Sequence, residues 1–102
     1  MRKLENEQEF ESLKQGNTVF MFTAGWCPDC RVIEPGLPSL EEKHSAYTFV
    51  SVNRDAFIDI CVDNGIMGIP SFIVYSNGQE LGRYVGKERK SIEQIDTFLQ
   101  NL

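Results

Sequence analysis

Two cysteines held two residues apart in Trp26-Cys27-Pro28-Asp29-Cys30 are the side chains of this chain best suited to chemistry. Thiols at that spacing on a first helical turn can close a disulfide and reopen it, which is reversible redox chemistry. The reacting species in disulfide exchange is the thiolate, and a free cysteine with a pKa of ~8.5 is mostly protonated at neutral pH, so the site must favour the anion. Pro28 suits a first helical position, because its missing N–H would be unpaired there anyway. That places Cys27 at the cap, facing unpaired backbone N–H groups and the positive end of the helix macrodipole. Cys27 therefore reads as the attacking thiol, and Cys30, one turn further in, as the thiol that resolves the mixed disulfide. Asp29 has two readings. It is a first-turn carboxylate of the kind helix starts favour, or a catalytic group that raises the Cys27 pKa and takes the proton of Cys30.

The elements needed to hold this pair are legible on both sides of it. Residues 18–23 form an apolar, β-favouring run suited to a central strand covered on both faces. The stretch from Arg31 to Lys43 has helical spacing and is expected to bend at Pro35. Asn6 with Glu9 opens a first helix that runs to about residue 15, with Gly16 as its stop. Tyr47–Val52 reads as a second strand, and Asp55 as the cap of a helix carrying Phe57, Ile58 and Cys61 that ends at Asn64-Gly65. Ser71–Tyr75 and Glu80–Val85 flank Asn77-Gly78, the pattern of an antiparallel hairpin. Ser91 with Gln94 opens a last helix whose Ile92, Ile95, Phe98, Leu99 and Leu102 form an apolar stripe. The whole is an α/β arrangement, a mixed sheet covered by helices.

Composition bounds the function. With 102 residues, 41% hydrophobic and 25% charged, the chain fits one domain over residues 1–102 that buries roughly two thirds of its unfolded surface. A net charge of −5 with scattered basic residues argues against nucleic acid. The small run Lys87-Glu88-Arg89-Lys90 reads as a solvated helix entrance. The first ten residues lack the apolar core of a secretory signal, and no stretch approaches the ~18 apolar residues of a membrane span. With an odd count of three cysteines, this points to a reducing, cytoplasmic setting. Cys61 sits among Ile58, Ile60 and Val62 and reads as a core residue, its alternative being a regulatory thiol. His44 reads as an exposed bystander. Zinc would need a second ligand pair, and only Cys61 and His44 remain, on different helices, so no metal is expected.

The Trp-Cys-x-x-Cys motif after a central strand, Pro35 five residues beyond Cys30, Ile69-Pro70-Ser71 before a strand, the Asn77-Gly78 hairpin and Val85-Gly86 before the last helix together resemble the thioredoxin family over essentially the whole chain. The resemblance implies a thioredoxin fold with a central four- to five-stranded mixed sheet flanked by helices. It implies that Pro70 follows a cis peptide bond and lies against the dithiol, and that the Ile69 backbone hydrogen-bonds an extended substrate in a groove also formed by Trp26, Pro28 and Gly86. Trp26 reads either as the aromatic wall of that groove or as a large apolar residue buried at a strand end. The resemblance further implies disulfide-containing protein or small-molecule substrates and reduction by a flavin-dependent thioredoxin reductase drawing on NADPH; the dithiol itself needs no bound cofactor, and a monomer is expected.

The chain departs from the family pattern at three points. Pro28-Asp29 replaces the usual Gly-Pro, and Met21 and Ser51 stand where the family carries a buried aspartate and its partner lysine. Only Met1–Leu4 precede the first helix signal, leaving little sequence for the family's first strand, which is expected to be absent. Two readings compete with protein-disulfide reduction. One is a redox-quiet binding or chaperone module on the same scaffold. The other is an enzyme restricted to low-molecular-weight disulfides, with Asp29 repelling acidic protein surfaces.

Overall fold

The computed structural model describes residues 1–102 and contains one five-stranded sheet in the order β1-β3-β2-β4-β5. The strands are β1 (Arg2–Lys3), β2 (Thr18–Thr23), β3 (Thr48–Asn53), β4 (Ser71–Ser76) and β5 (Gln79–Tyr84). β1 and β2 run parallel to β3, while β4 is antiparallel to both β2 and β5. β2 is thus the middle strand, as its continuous apolar run requires, since a strand flanked on both edges and covered on both faces has no polar side. Its residues divide between two cores. Phe20 and Phe22 pack with Phe10, Val50, Val52 and Ile60, whereas Val19 and Met21 pack with Leu37, Phe72, Ile95 and Leu99.

The helices are α1 (Glu7–Leu13), α2 (Pro28–Ile33), α3 (Leu37–Lys43), α4 (Ile58–Asp63) and α5 (Ile92–Gln100). α1 starts where Asn6 Oδ1 accepts the Glu9 N–H at 2.8 Å. α5 starts at a reciprocal capping box, with the Gln94 N–H donating to Ser91 Oγ at 3.1 Å and the Ser91 N–H to Gln94 Oε1 at 2.9 Å. At the β4–β5 hairpin Asn77 and Gly78 both take positive φ, 52° and 80°, the backbone a two-residue turn needs to match strand twist.

Several details differ from the sequence expectations. Pro35 does more than bend one helix: residues Glu34–Gly36 form a 3₁₀ turn that separates α2 from α3. The first strand is present, though only two residues long, and pairs with Val50 and Ser51 of β3. Asp55 does not cap α4, whose N-cap is Phe57 with no side-chain bond. The turn before it is instead held by Asn53 Oδ1, which accepts the N–H groups of Asp55 and Ala56. His44 is not an exposed bystander. Its Nε2 lies 2.6 Å from Asp96 Oδ1 and its side chain is mostly covered, so it clasps the end of α3 to α5. The basic run is not uniformly solvated either, because Lys90 is 1% exposed. No helix is long and apolar enough to cross a membrane.

Candidate active site

The dithiol lies where β2 ends and α2 begins. Cys27 is the N-cap residue of α2, with extended backbone, and Pro28 occupies the first helical turn. Cys27 and Cys30 are joined by a disulfide, with Cα atoms 5.3 Å apart, well within disulfide reach. The Cys30 N–H donates to Cys27 Sγ at 3.2 Å. That amide is one of the donors a helix start leaves unpaired, and aimed at sulfur it favours negative charge there. Because α2 is only six residues long, the local amide matters more than the summed dipole. Cys30 is 0% exposed and Cys27 4%, so the second sulfur is the more enclosed, and both pack with Ala24 and Ile69.

A shallow groove of about 310 Å³ passes over Cys27 and is lined by Trp26, Pro28, Asp29, Arg54, Ile69 and Lys87 among others. Its long wall is the segment Met67-Gly68-Ile69, with Pro70 buried behind it and Gly86 outside the lining. The Ile69–Pro70 peptide bond is cis, and the Ile69 carbonyl lies 3.9 Å from Cys27 Sγ. Ser71 fastens this wall from behind. Its hydroxyl donates to the Gly68 carbonyl at 2.5 Å and accepts the Gly86 N–H at 3.4 Å. The two backbones run so close that a Cβ on Gly68 would fall 2.5 Å from the Gly86 carbonyl oxygen. Glycine at 68 is therefore a packing requirement. Gly86 supports the groove from its own position, with φ of 155°.

Trp26 is the exposed wall of the groove and not a buried strand-end residue, at 57% exposure. Its orientation is set from one side by the indole N–H, which donates to Asp55 Oδ2 at 2.7 Å. Arg54 lies over the same ring, 5.7 Å from its centroid, and pairs with Asp55 at 3.5 Å. On the inner side of the loop, Arg31 reaches back to donate two hydrogen bonds to the Gly25 carbonyl, at 3.1 and 2.7 Å. The loop that presents Cys27 is thus anchored by its own helix.

Asp29 does not stand as a lone charge beside the dithiol. Its Oδ1 accepts from Arg89 Nε at 3.0 Å, which offsets the field it exerts on Cys27 and on an approaching acidic surface. Next to Arg89, buried Lys90 donates to the carbonyls of Gly86 and Glu88 at 3.1 and 3.3 Å and lies over the Tyr84 ring. Burial pushes the Lys90 ammonium below its usual range, opposed by the negative charges of Glu88 and Asp29. The basic run is therefore a brace for the loop behind the groove. None of Asp55, Arg89, Lys90 and Ser71 was expected at the site: the sequence offered Asp55 as a helix cap, Arg89 and Lys90 as a solvated run and Ser71 as a strand start. A weak signal existed for Asp55, which follows the carboxyl end of β3, the end of a parallel strand where sites collect.

Cys61 is buried in the core below α4, and desolvation pushes its thiol up, as a structural cysteine requires. No group of three or more potential metal ligands exists. Met21 and Ser51 are cross-strand partners in the β2–β3 register, and both line a second cavity of about 600 Å³ that lies behind the dithiol loop and reaches Ala24, Gly25 and Glu34.

A family model described as Thioredoxin matches residues 2–101. The chain is 37% identical over 78 residues to Thioredoxin-2, mitochondrial, of Schizosaccharomyces pombe, covering 76% of this chain and 59% of that protein. It is 28% identical over 87 residues to Thioredoxin H2 of Arabidopsis thaliana, covering 83% of this chain and 65% of that one. The chain thus spans less than two thirds of the length of either relative. Among solved structures, oxidized mitochondrial Thioredoxin 3 of Saccharomyces cerevisiae superposes with a TM-score of 0.86 at 27% identity, covering 100% of this chain and 95% of that one.

Proposed function

The chain belongs to the thioredoxin family, and from that premise we propose that it is a thiol-disulfide oxidoreductase that reduces disulfides of proteins or small molecules through the Cys27–Cys30 pair. The observation that carries this reading is the amide of Cys30 aimed at Cys27 Sγ, within a bonded pair that opens onto a groove. In the reduced protein that N–H favours the Cys27 thiolate, which attacks one sulfur of the substrate disulfide. A mixed disulfide forms and one substrate thiolate leaves. Cys30 then attacks Cys27 Sγ, the Cys27–Cys30 bond forms, and the second substrate thiolate departs. The substrate has gained two electrons and the chain has lost them.

In this reading Trp26, Pro28, Ile69, Pro70 and Gly86 form the substrate-binding groove, and Asp29 is the site carboxylate whose charge moderates the nucleophile. An extended substrate segment bonds to the Ile69 backbone. Electrons return from a flavin-dependent thioredoxin reductase drawing on NADPH, as the family implies. One 102-residue domain acts as a monomer in the cytoplasm, where reducing conditions keep the pair cycling.

Insulin reduction by dithiothreitol tests the activity. The wild type is expected to accelerate precipitation of the insulin B chain, and Cys27→Ser to lose that acceleration entirely. Cys30→Ser is expected to hold substrate on Cys27 as a mixed disulfide that a reductant releases. Wild-type protein that bound insulin without speeding its reduction would replace this reading with the redox-quiet module.

A further inference from the structure

We infer that Glu34 is the proton acceptor that activates Cys30 for resolution, working through water in the cavity behind the dithiol; this rests on the reading of Cys27 and Cys30 as an exchanging pair. Cys30 must ionise to attack, yet it is fully buried, and burial in apolar surroundings resists formation of a thiolate. The apolar side chains packed with the two sulfurs, Ala24 and Ile69, cannot accept a proton. Asp29 is adjacent to Cys30 in sequence, and neighbouring residues on a helix diverge instead of facing each other. Its carboxylate is also engaged by Arg89.

Glu34 is placed differently. It follows Cys30 by four residues, its backbone still has helical angles of −51° and −46°, and side chains at that spacing share one face. Helical side chains also lean toward the N-terminus, which carries Glu34 back over the turn that bears Cys30. It makes no ion pair and no hydrogen bond with another protein group, so both oxygens are available to water. The cavity that it lines measures about 600 Å³, enough for several waters, and shares Ala24 as a wall with the dithiol. The other charged groups facing this space are Lys3, Glu5 and the Met1 α-amino group, the last paired with Glu41 at 3.6 Å. Lys3 is in register with Ser51 across β1 and β3, so one cation faces the same water as the Glu34 carboxylate.

During resolution the Cys30 proton passes through water to the Glu34 carboxylate as Cys30 Sγ attacks Cys27 Sγ. The Cys27–substrate bond breaks, its electron pair leaves on the substrate sulfur, and the proton passes from Glu34 through solvent to that thiolate. Atoms and electrons balance with no further reactant.

An aromatic disulfide whose two released thiolates absorb separates the steps in a stopped-flow experiment, the first release reporting Cys27 attack and the second reporting resolution. Glu34→Gln is expected to leave the first phase unchanged and to slow the second about tenfold or more near pH 6–7. That deficit is expected to shrink steadily as pH rises, because hydroxide then takes over removal of the Cys30 proton from the carboxylate. A second phase unaltered by Glu34→Gln, or slowed equally at every pH, overturns the proposal, as does Asp29→Asn reproducing the effect. A wild type that releases neither thiolate refutes the dithiol chemistry itself, a separate result.

Discussion

At the scale of single residues, the proposed influence of Asp29 on the Cys27 thiolate can be tested through the ion pair of Asp29 with Arg89. In the proposed reading Asp29 competes with the thiolate for the same positive field, and Arg89, 3.0 Å from the Asp29 carboxylate, relieves that competition. Arg89 is largely exposed, so the relief is modest, because exposed pairs contribute about 0–1 kcal/mol. Arg89→Ala is expected to lower the thiolate fraction of Cys27 at pH 7 by about two- to fivefold. Ultraviolet absorbance of the reduced protein measures this, and the loss should disappear when Asp29→Asn is made in the same chain. A decrease that persists without the Asp29 charge would trace to loop distortion instead. The nucleophile and its neighbours were readable because they are contiguous in sequence. Arg89 and Asp55 were not, since each meets the site only after the chain has folded, across 60 residues in one case and 29 in the other.

Between elements, the contact of α3 with α5 shows how a polar clasp responds to pH. Hydrogen bonds from Lys43 at 2.7 Å and from His44 hold the Asp96 carboxyl below its ordinary range. A carboxyl depressed in the folded state adds stability that is fully present above its unfolded pKa, ~3.9, and disappears as pH falls through the folded value. Asp96→Asn is therefore expected to unfold at lower urea than wild type at neutral pH, with the gap closing as the pH falls below the ordinary carboxyl range and Asp96 takes up its proton. Equal midpoints throughout would remove any role for the clasp. Element positions were largely legible, because β2, the β4–β5 hairpin and the caps Asn6 and Ser91 each rest on local chemistry. What escaped was tertiary. His44 and Lys90 look like surface residues until a partner from another element covers them, and Asp55 resembles a cap until Asn53 takes the turn and frees Asp55 for Trp26. The split of α2 from α3 exceeds a simple bend because Pro35 has no N–H to donate to the carbonyl four residues back and its ring crowds that carbonyl, so the chain tightens into a 3₁₀ turn.

For the molecule as a whole, stability rests on aromatic packing around the central strand. Phe20 is fully buried between Phe10 and Tyr75, with ring centroids 4.6 and 6.0 Å away. Phe20→Ala is expected to cost about 3–5 kcal/mol, a large share of the roughly 5–15 kcal/mol that keeps a domain folded. Urea denaturation followed by Trp26 fluorescence reads the loss, and a change below about 1 kcal/mol would mean that the neighbours collapse to fill the space. The strand order has a further consequence at the two margins of the sheet. One margin is a strand of two residues, too short to template another chain, and the other carries the Glu80–Arg83 ion pair beside a register shift at Val74/Tyr75. Neither border offers a straight ladder of free amides to a foreign strand, so crowding many copies together supplies no ready seam for fibril growth.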